Sequence, residues 1–357
     1  MTISDYCVSP ETSIRDAIAV IDRTAKGIAL VVDTKMFLLG TVTDGDIRRA
    51  VIDSLNLDSP VSNLLGRKLS PYLEPVTASY TASKNELIDL MLQFAIRQIP
   101  LLDEIGRVAD LVTLDELMPE SSPPFQAVIM AGGFGTRLRP LTEDLPKPML
   151  PVGDRPLMEW IVDQMRQAGI RQVNVTTHYK AEKIVEHFGD GSTFGVTFNY
   201  VNEDQPLGTG GALGLMPTPT QPTLVINGDI LTAVDFRAML EFQREHKADM
   251  TVAVRTYPFQ IPYGVIDCQG VQILGLREKP TINILVNAGI YLLEPTVYQF
   301  IPRGERFNIT ELIQWLIDAG RTVVSFPIHE YWLDIGQHAD YVKAQDDART
   351  GKVVAWS

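Results

Sequence analysis

The sequence predicts an α/β fold with a mixed, mostly parallel sheet, preceded by a smaller α+β region. Three observations predict it. From residue 126 onward, apolar strand-like runs alternate with segments of helical spacing. The first of those runs opens directly into a glycine-rich loop. Before residue 121, a helix, strand, strand, helix order occurs twice.

In chain order, SIRDAIAVID sets Ile14, Ala17, Ile18 and Ile21 on one helical face. IALVVD then reads as a strand, and LLGTVTDGDIRRAV as a strand followed by a helix. ELIDLMLQFAI, QIPLLDE and VADLVTLDEL repeat that order. Residues 1–120 thus form one repeated unit. SSPPF, at 121–125, separates it from the rest, because paired prolines neither continue a helix nor join a ladder. The remaining 126–357 form the second domain, as 357 residues exceed the ~100–200 of one domain. There AVIM starts the sheet. A helix from Leu157 to Ala168 sets Leu157, Trp160, Ile161 and Met165 on one face and ends at Gly169. VNVTT, VTFNYV, TLVING, MTVAVR, NAGIYLL and TVVSFP supply further strands.

Composition narrows the function. With 45% hydrophobic and 21% charged residues, the chain reads as folded throughout. Its 31 basic and 44 acidic residues, net −13, give no general attraction for nucleic acid or an anionic membrane, so neither is expected as a partner. Cys7 and Cys268 lie far apart without metal-ligand spacing. The N-terminus lacks a basic and then apolar leader, and no apolar run approaches ~18 residues. A cytoplasmic enzyme is the expectation.

The loop AGGFGTRLRP sits where α/β sheets bind ligands, at the carboxyl end of a strand. Gly132, Gly133 and Gly135 let backbone N–H groups approach an anion, and Arg137 adds a forked cationic donor. Ten residues on, Lys147 stands between two prolines that restrict its backbone. The spacing is neither GxGxxG nor GxxxxGK[ST], which disfavours a dinucleotide-dependent oxidoreductase and a P-loop NTPase.

AGGFGTRLRPLTEDLPKPMLPVGDRPLME resembles the signature of the sugar-phosphate nucleotidyltransferases, and the resemblance runs from about Gln126 to Lys343. It implies a Rossmann-like, GT-A-like domain that transfers NMP from an NTP to a sugar 1-phosphate. It assigns Ala131, Gly132, Gly133, Gly135, Thr136, Arg137 and Lys147 to the triphosphate. NEDQPLGTGGA resembles the family's base-reading loop, giving Glu203, Gly208 and Thr209 to the nucleotide. A carboxylate only accepts hydrogen bonds and guanine offers N1–H and N2–H₂ side by side, so GTP is expected.

Asp229, ending TLVINGD, and Asp334, in YWLDIG, match the family's metal carboxylates, which implies Mg²⁺. Gly228 leaves room for the nucleotide on this reading. Tyr263, Gly264, Glu278, Lys279, Asn287 and Gly289 match its sugar-phosphate residues. Arg137, Lys147 and Asp229 would carry catalysis by positioning and charge neutralisation, since no nucleophile and base set is evident.

In the N-terminal unit, GTVTDGDIRRA resembles a CBS motif, whose Thr and Asp correspond to Thr43 and Asp46. The second copy keeps Thr113 but has Glu116 in place of the Asp. A tandem CBS pair implies dimerisation, hence a homo-oligomer, or binding of an adenine or guanine nucleotide. The two-domain order is similar to the guanylyltransferases of legionaminic-acid pathways, which implies glucosamine 1-phosphate as acceptor. Mannose- or heptose-1-phosphate guanylyltransferases and UTP- or dTTP-using homologues are the near alternatives, and a non-catalytic nucleotide sensor is the different class. The sequence carries no hexapeptide repeat of a fused acetyltransferase.

Overall fold

A computed structural model of the chain describes residues 1–353 apart from 25, 54, 69–73, 95 and 118–124. It divides into two compact units, Met1–Ser122 and Pro123–Ser357. Of the expected linker only Phe125 lies within the described residues. No helix among them is long and apolar enough to cross a membrane.

In the first unit the repeat recurs at an offset of 70 residues. Helix Ile14–Thr24, strands Ile28–Val32 and Leu38–Thr43 and helix Asp44–Ile52 are answered by Lys84–Phe94, Gln98–Leu102, Val108–Thr113 and Leu114–Leu117. Each strand pair is antiparallel, with Ile28 opposite Thr43 and Gln98 opposite Thr113. A short strand joins each by parallel pairing, so each copy is a three-stranded sheet. Ile14, Ala17 and Ile21, three of the residues read as one helical face, are buried against the sheet as the 3.6 period requires.

In the second unit a seven-stranded sheet runs in the order Thr197–Asn202, Gln172–Thr177, Gln126–Met130, Thr223–Asn227, Thr281–Leu293, Met250–Gln260, Val323–Ile328. The first four are mutually parallel, Thr281–Leu293 is antiparallel to both neighbours, and the last pair is parallel. Buried apolar runs such as that of Gln126–Met130 are what a sheet covered on both faces demands. Helix Leu157–Gln167 buries Leu157, Ile161 and Met165 and turns out through Gly169 at φ +85°.

Two strands are longer than the sequence patterns predict. MTVAVR extends to Gln260, and NAGIYLL begins as early as Thr281. Beyond the sheet these extensions pair only with each other among the described residues, from Thr256 opposite Leu285 to Gln260 opposite Thr281. They lead into a second hairpin, Val265–Gln269 with Gln272–Arg277. The whole forms a projecting two-stranded ribbon.

Candidate active site

The glycine loop leaves the carboxyl end of the Gln126–Met130 strand, with the Ala131 N–H donating to the Thr176 carbonyl of the neighbouring strand at 3.0 Å. Gly135 adopts φ +63°, and a Cβ there would stand 2.9 Å from Thr142, so both conformation and space require glycine. Thr136 and Arg137 follow in a short 3-10 turn that exposes both. Gly133 is open, with no atom within 4 Å of a built Cβ.

Lys147 starts a second 3-10 turn and is only 8% exposed, its ammonium paired with the Asp229 carboxylate. Asp229 follows the Thr223–Asn227 strand. Strand Ile230–Thr232 pairs antiparallel with Trp332–Asp334, and the Ile335 N–H donates to the Asp229 carbonyl at 3.1 Å. This pairing across about a hundred residues brings Asp229 and Asp334 together. Burial pushes the Asp334 carboxyl above its ordinary range, the Asp229 charge adds to this, and Lys147 and Arg137 oppose it.

Asp229 Oδ1 and Asp334 Oδ1 are buried and accept no hydrogen bond among the described residues. Buried carboxylate oxygens are ordinarily satisfied. Two such oxygens beside one another, with Arg137 Nη1 and Asp334 Oδ1 at 3.6 and 3.7 Å from a Cβ built on Gly336, fit a cation between carboxylates and phosphate.

Glu203 is 6% exposed rather than a solvated loop charge. Its Oε2 accepts from the Leu207 N–H at 2.9 Å, and its Oε1 would meet a Cβ on Gly132 at 2.6 Å. Burial raises its pKa, against the Leu207 N–H and the His178 ring. A side chain at Gly132 would therefore require the Glu203 carboxylate to shift. Gly208, at φ +79°, lies so close to Phe307 and Asn308 that a Cβ would be 2.8 Å from the Phe307 carbonyl. That carbonyl accepts from the N–H groups of both Gly210 and Gly211 at 2.9 Å, and the Thr209 hydroxyl accepts from the Ile309 N–H at 3.1 Å. Thr209 is thus engaged in holding the loop.

Gly289, at φ +71°, packs against the Asn227 amide, and its N–H donates to Asn287 Oδ1 at 2.9 Å. Nearby Tyr291 feels the Asp229 charge, and its phenol is pushed up to about 12, chiefly by burial. Tyr263, Gly264, Glu278 and Lys279 are elsewhere, exposed on the ribbon, where a Cβ on Gly264 would stand 3.1 Å from Glu278 Oε2. The structure gathers the residues expected to hold nucleotide and metal, and gives none of these four a contact with them among the described residues.

Gly228 corrects its expected role. A Cβ there would lie 2.9 Å from the Met130 carbonyl and 3.2 Å from Pro148, so its missing side chain makes room for the protein's own backbone. Sequence reasoning also passed over Asn227, whose buried Oδ1 lacks a partner among the described residues, and His178. His178 Nδ1 lies 2.7 Å from the Glu203 carbonyl, and its ring stands edge-on to Phe134 at 5.4 Å. Both directly end or follow parallel strands, the positional signal that singled out Asp229.

In the first unit, Thr43 and Asp46 form a capping box on helix Asp44–Ile52. Asp46 Oδ2 accepts from the Thr43 N–H and hydroxyl, both at 2.9 Å, and pairs with Lys68 at 3.1 Å, while Oδ1 accepts from Arg49 at 2.8 Å. Burial opposes the charge, yet Lys68, Thr43 and Arg49 hold the carboxyl below its usual range. The Thr113 N–H donates to Glu116 at 2.8 Å, and Glu116 also pairs with Lys26.

Residues 126–351 match the family model for nucleotidyl transferase, and 1–53 and 70–122 each match the CBS domain. The chain is 34% identical over 235 residues to the mannose-1-phosphate guanylyltransferase of Mycobacterium tuberculosis, covering 63% of this chain and 65% of that protein. It is 34% identical over 241 residues to the UTP–glucose-1-phosphate uridylyltransferase of a Synechocystis species, covering 61% and 62%. It is 32% identical over 225 residues to the D-glycero-α-D-manno-heptose 1-phosphate guanylyltransferase of Aneurinibacillus thermoaerophilus, covering 62% and 97%. The chain thus spans just under two thirds of the first two relatives.

Proposed function

The chain belongs to the nucleotidyl transferase family, and from that premise we propose that it transfers a nucleoside monophosphate from an NTP, GTP by preference, to a sugar 1-phosphate. Glucosamine 1-phosphate is the proposed acceptor, and mannose and heptose 1-phosphates are its alternatives. The observation that carries this reading is the orphaned oxygen pair of Asp229 and Asp334, with Lys147 paired to Asp229 and the Lys147 and Arg137 charges acting on Asp334. An oxygen-only donor set of this kind suits Mg²⁺, which neutralises phosphate charge when bound. A phosphate oxygen of the sugar 1-phosphate attacks the α-phosphorus in line and pyrophosphate leaves. The loop N–H groups, Arg137 and Lys147 hold the triphosphate and balance its charge, so no proton need be moved.

Two observations support GTP. Glu203 is fixed by Leu207 beside Gly132, where its carboxylate accepts from a base, and a guanylyltransferase stands among the relatives. A pyrophosphate-release screen crossing GTP, UTP, dTTP and CTP with glucosamine, N-acetylglucosamine, mannose, glucose and heptose 1-phosphates tests the whole reading. Equal or better use of UTP overturns the base assignment. No release with any pair revives a non-catalytic nucleotide sensor.

For the CBS pair we propose an associating role rather than adenosine-nucleotide binding. The acceptor oxygens of Asp46 are taken by Thr43, Arg49 and Lys68, so ribose hydroxyls would have to displace Lys68. Titration of the full chain with AMP, ATP and GMP decides, and saturable binding lost in Asp46→Ala overturns it.

A further inference from the structure

The backbone ladder between strands Gln172–Thr177 and Thr197–Asn202 ends at the pair Thr177 and Asn202. Glu203 is the next residue, and its N–H still reaches the Thr177 carbonyl at 2.8 Å. The ladder does not extend to its own carbonyl, and a backbone carbonyl on a residue only 6% exposed requires a donor. The His178 ring supplies it, with Nδ1 at 2.7 Å. A carbonyl only accepts, so Nδ1 carries the hydrogen in this contact. The Thr176 hydroxyl acts on the same residue, favouring the ionised Glu203 carboxylate. Three consecutive residues at one strand end thus hold the side chain, the N–H and the carbonyl of Glu203.

The same histidine also meets the glycine loop. Its ring stands edge-on to Phe134 at 5.4 Å, and its Cβ lies 3.5 Å from a Cβ built on Gly132. At the far end of the Glu203 side chain, the Leu207 N–H holds Oε2 at 2.9 Å. A carboxylate held at one oxygen can still pivot about it, and recognition of a planar base edge tolerates only about 0.5 Å of displacement. Fixing the main chain from which the carboxylate hangs removes the pivot. Guanine, with N1–H and N2–H₂ side by side, has more to lose when the acceptor moves than uracil, which offers one N–H.

We propose that His178 is a positioning residue for base selection: its Nδ1–H, donated to the Glu203 carbonyl, holds the carboxylate where both donors of a guanine edge reach it together. The inference rests on the reading of Glu203 as the residue that contacts the base. His178 touches no reacting atom on this account and acts only through Glu203.

Calorimetric titration of the full chain with GTP and with UTP, in the presence of Mg²⁺ and without sugar 1-phosphate, reads the inference without turnover. His178→Phe keeps a ring beside Phe134 and removes the donor. It is expected to lower the GTP-to-UTP affinity ratio by roughly 3- to 10-fold, the range of one lost hydrogen bond, while UTP still binds. His178→Asn places Nδ2 where Nδ1 stood, and is expected to restore the ratio to within about twofold of wild type. Added to Glu203→Ala, His178→Phe is expected to change the ratio no further. An unchanged ratio in His178→Phe, an equal loss for both nucleotides, no recovery in His178→Asn, or a further loss in the Glu203→Ala background each overturns the inference. If Glu203→Ala itself leaves the ratio as in wild type, the base assignment falls and the inference with it. A ratio lowered by Glu203→Ala but not by His178→Phe overturns the inference alone.

Discussion

The proposed nucleotide half and the proposed sugar-phosphate half of the second unit are built on opposite principles. Lys147, Asp229, Asp334 and Glu203 are carried by loops and short strands at the carboxyl ends of strands in a sheet buried on both faces; Lys147 pairs with Asp229, strand pairing brings Asp334 to it, and the Leu207 N–H fixes Glu203. Glu278 and Lys279 ride on a ribbon with no core of its own. The first half is preorganised by packing, the second only by strand pairing.

The predictions test that contrast, beginning where the effect is largest. Asp229→Asn strikes the preorganised half: turnover should fall by about 10³-fold or more, roughly 4 kcal/mol in transition-state stabilisation, with the circular dichroism spectrum unchanged. Substantial residual turnover would remove Asp229 from the metal site. Lys279→Ala strikes the other half. The KM for sugar 1-phosphate should rise by roughly 10- to 100-fold, as for a lost hydrogen bond to a charged group, while NTP affinity by calorimetry stays as in wild type. A loss of NTP affinity instead would show that the halves are not separable.

Gly132→Ala drives a methyl into the Glu203 carboxylate, 2.6 Å away, and should weaken GTP binding by roughly 10-fold, about 1–3 kcal/mol of overpacking. It should leave the KM for sugar 1-phosphate alone. The smallest effect concerns pH. Burial raises the Glu203 pKa, so protonation begins at a higher pH than for an exposed glutamate. The buried carboxylate opposes folding above that pKa, and this destabilisation fades as the pH falls through it. Base recognition runs the other way, because protonation removes an acceptor: the kcat/KM ratio of GTP to UTP should narrow as the pH falls, and Glu203→Gln should make it pH-independent. A ratio flat with pH in wild type would remove Glu203 from the base.

Much of the preorganised half was legible because its signals are local. The glycines of 132–135, the prolines around Lys147 and the strand end at Asp229 sit within a few residues of the features that give them meaning. Helix Leu157–Gln167 was readable for the same reason, its apolar period closing at Gly169. The ribbon was not. TYPFQ and TINILV face water on both sides, so no alternation between core and solvent marks them, and they become strands only by pairing with each other across more than twenty residues. The role of Gly228 was misjudged because its neighbour, the Met130 carbonyl, lies about a hundred residues upstream. Glu203 could be named from the sequence, but its burial against Gly132 could not, since that depends on strands brought side by side by the sheet.

The tie between the base-reading loop and the start of helix Ile309–Asp318 bears on how the protein is made. Gly210, Gly211 and Thr209 find their partners at Phe307 and Ile309, about a hundred residues later in the chain. During synthesis the strands that flank the glycine loop are complete long before this clamp can close. A nascent chain arrested before residue 309 would therefore carry the glycine loop with a slack loop at 203–211, and Asp334, later still in the chain, would not yet stand beside Asp229.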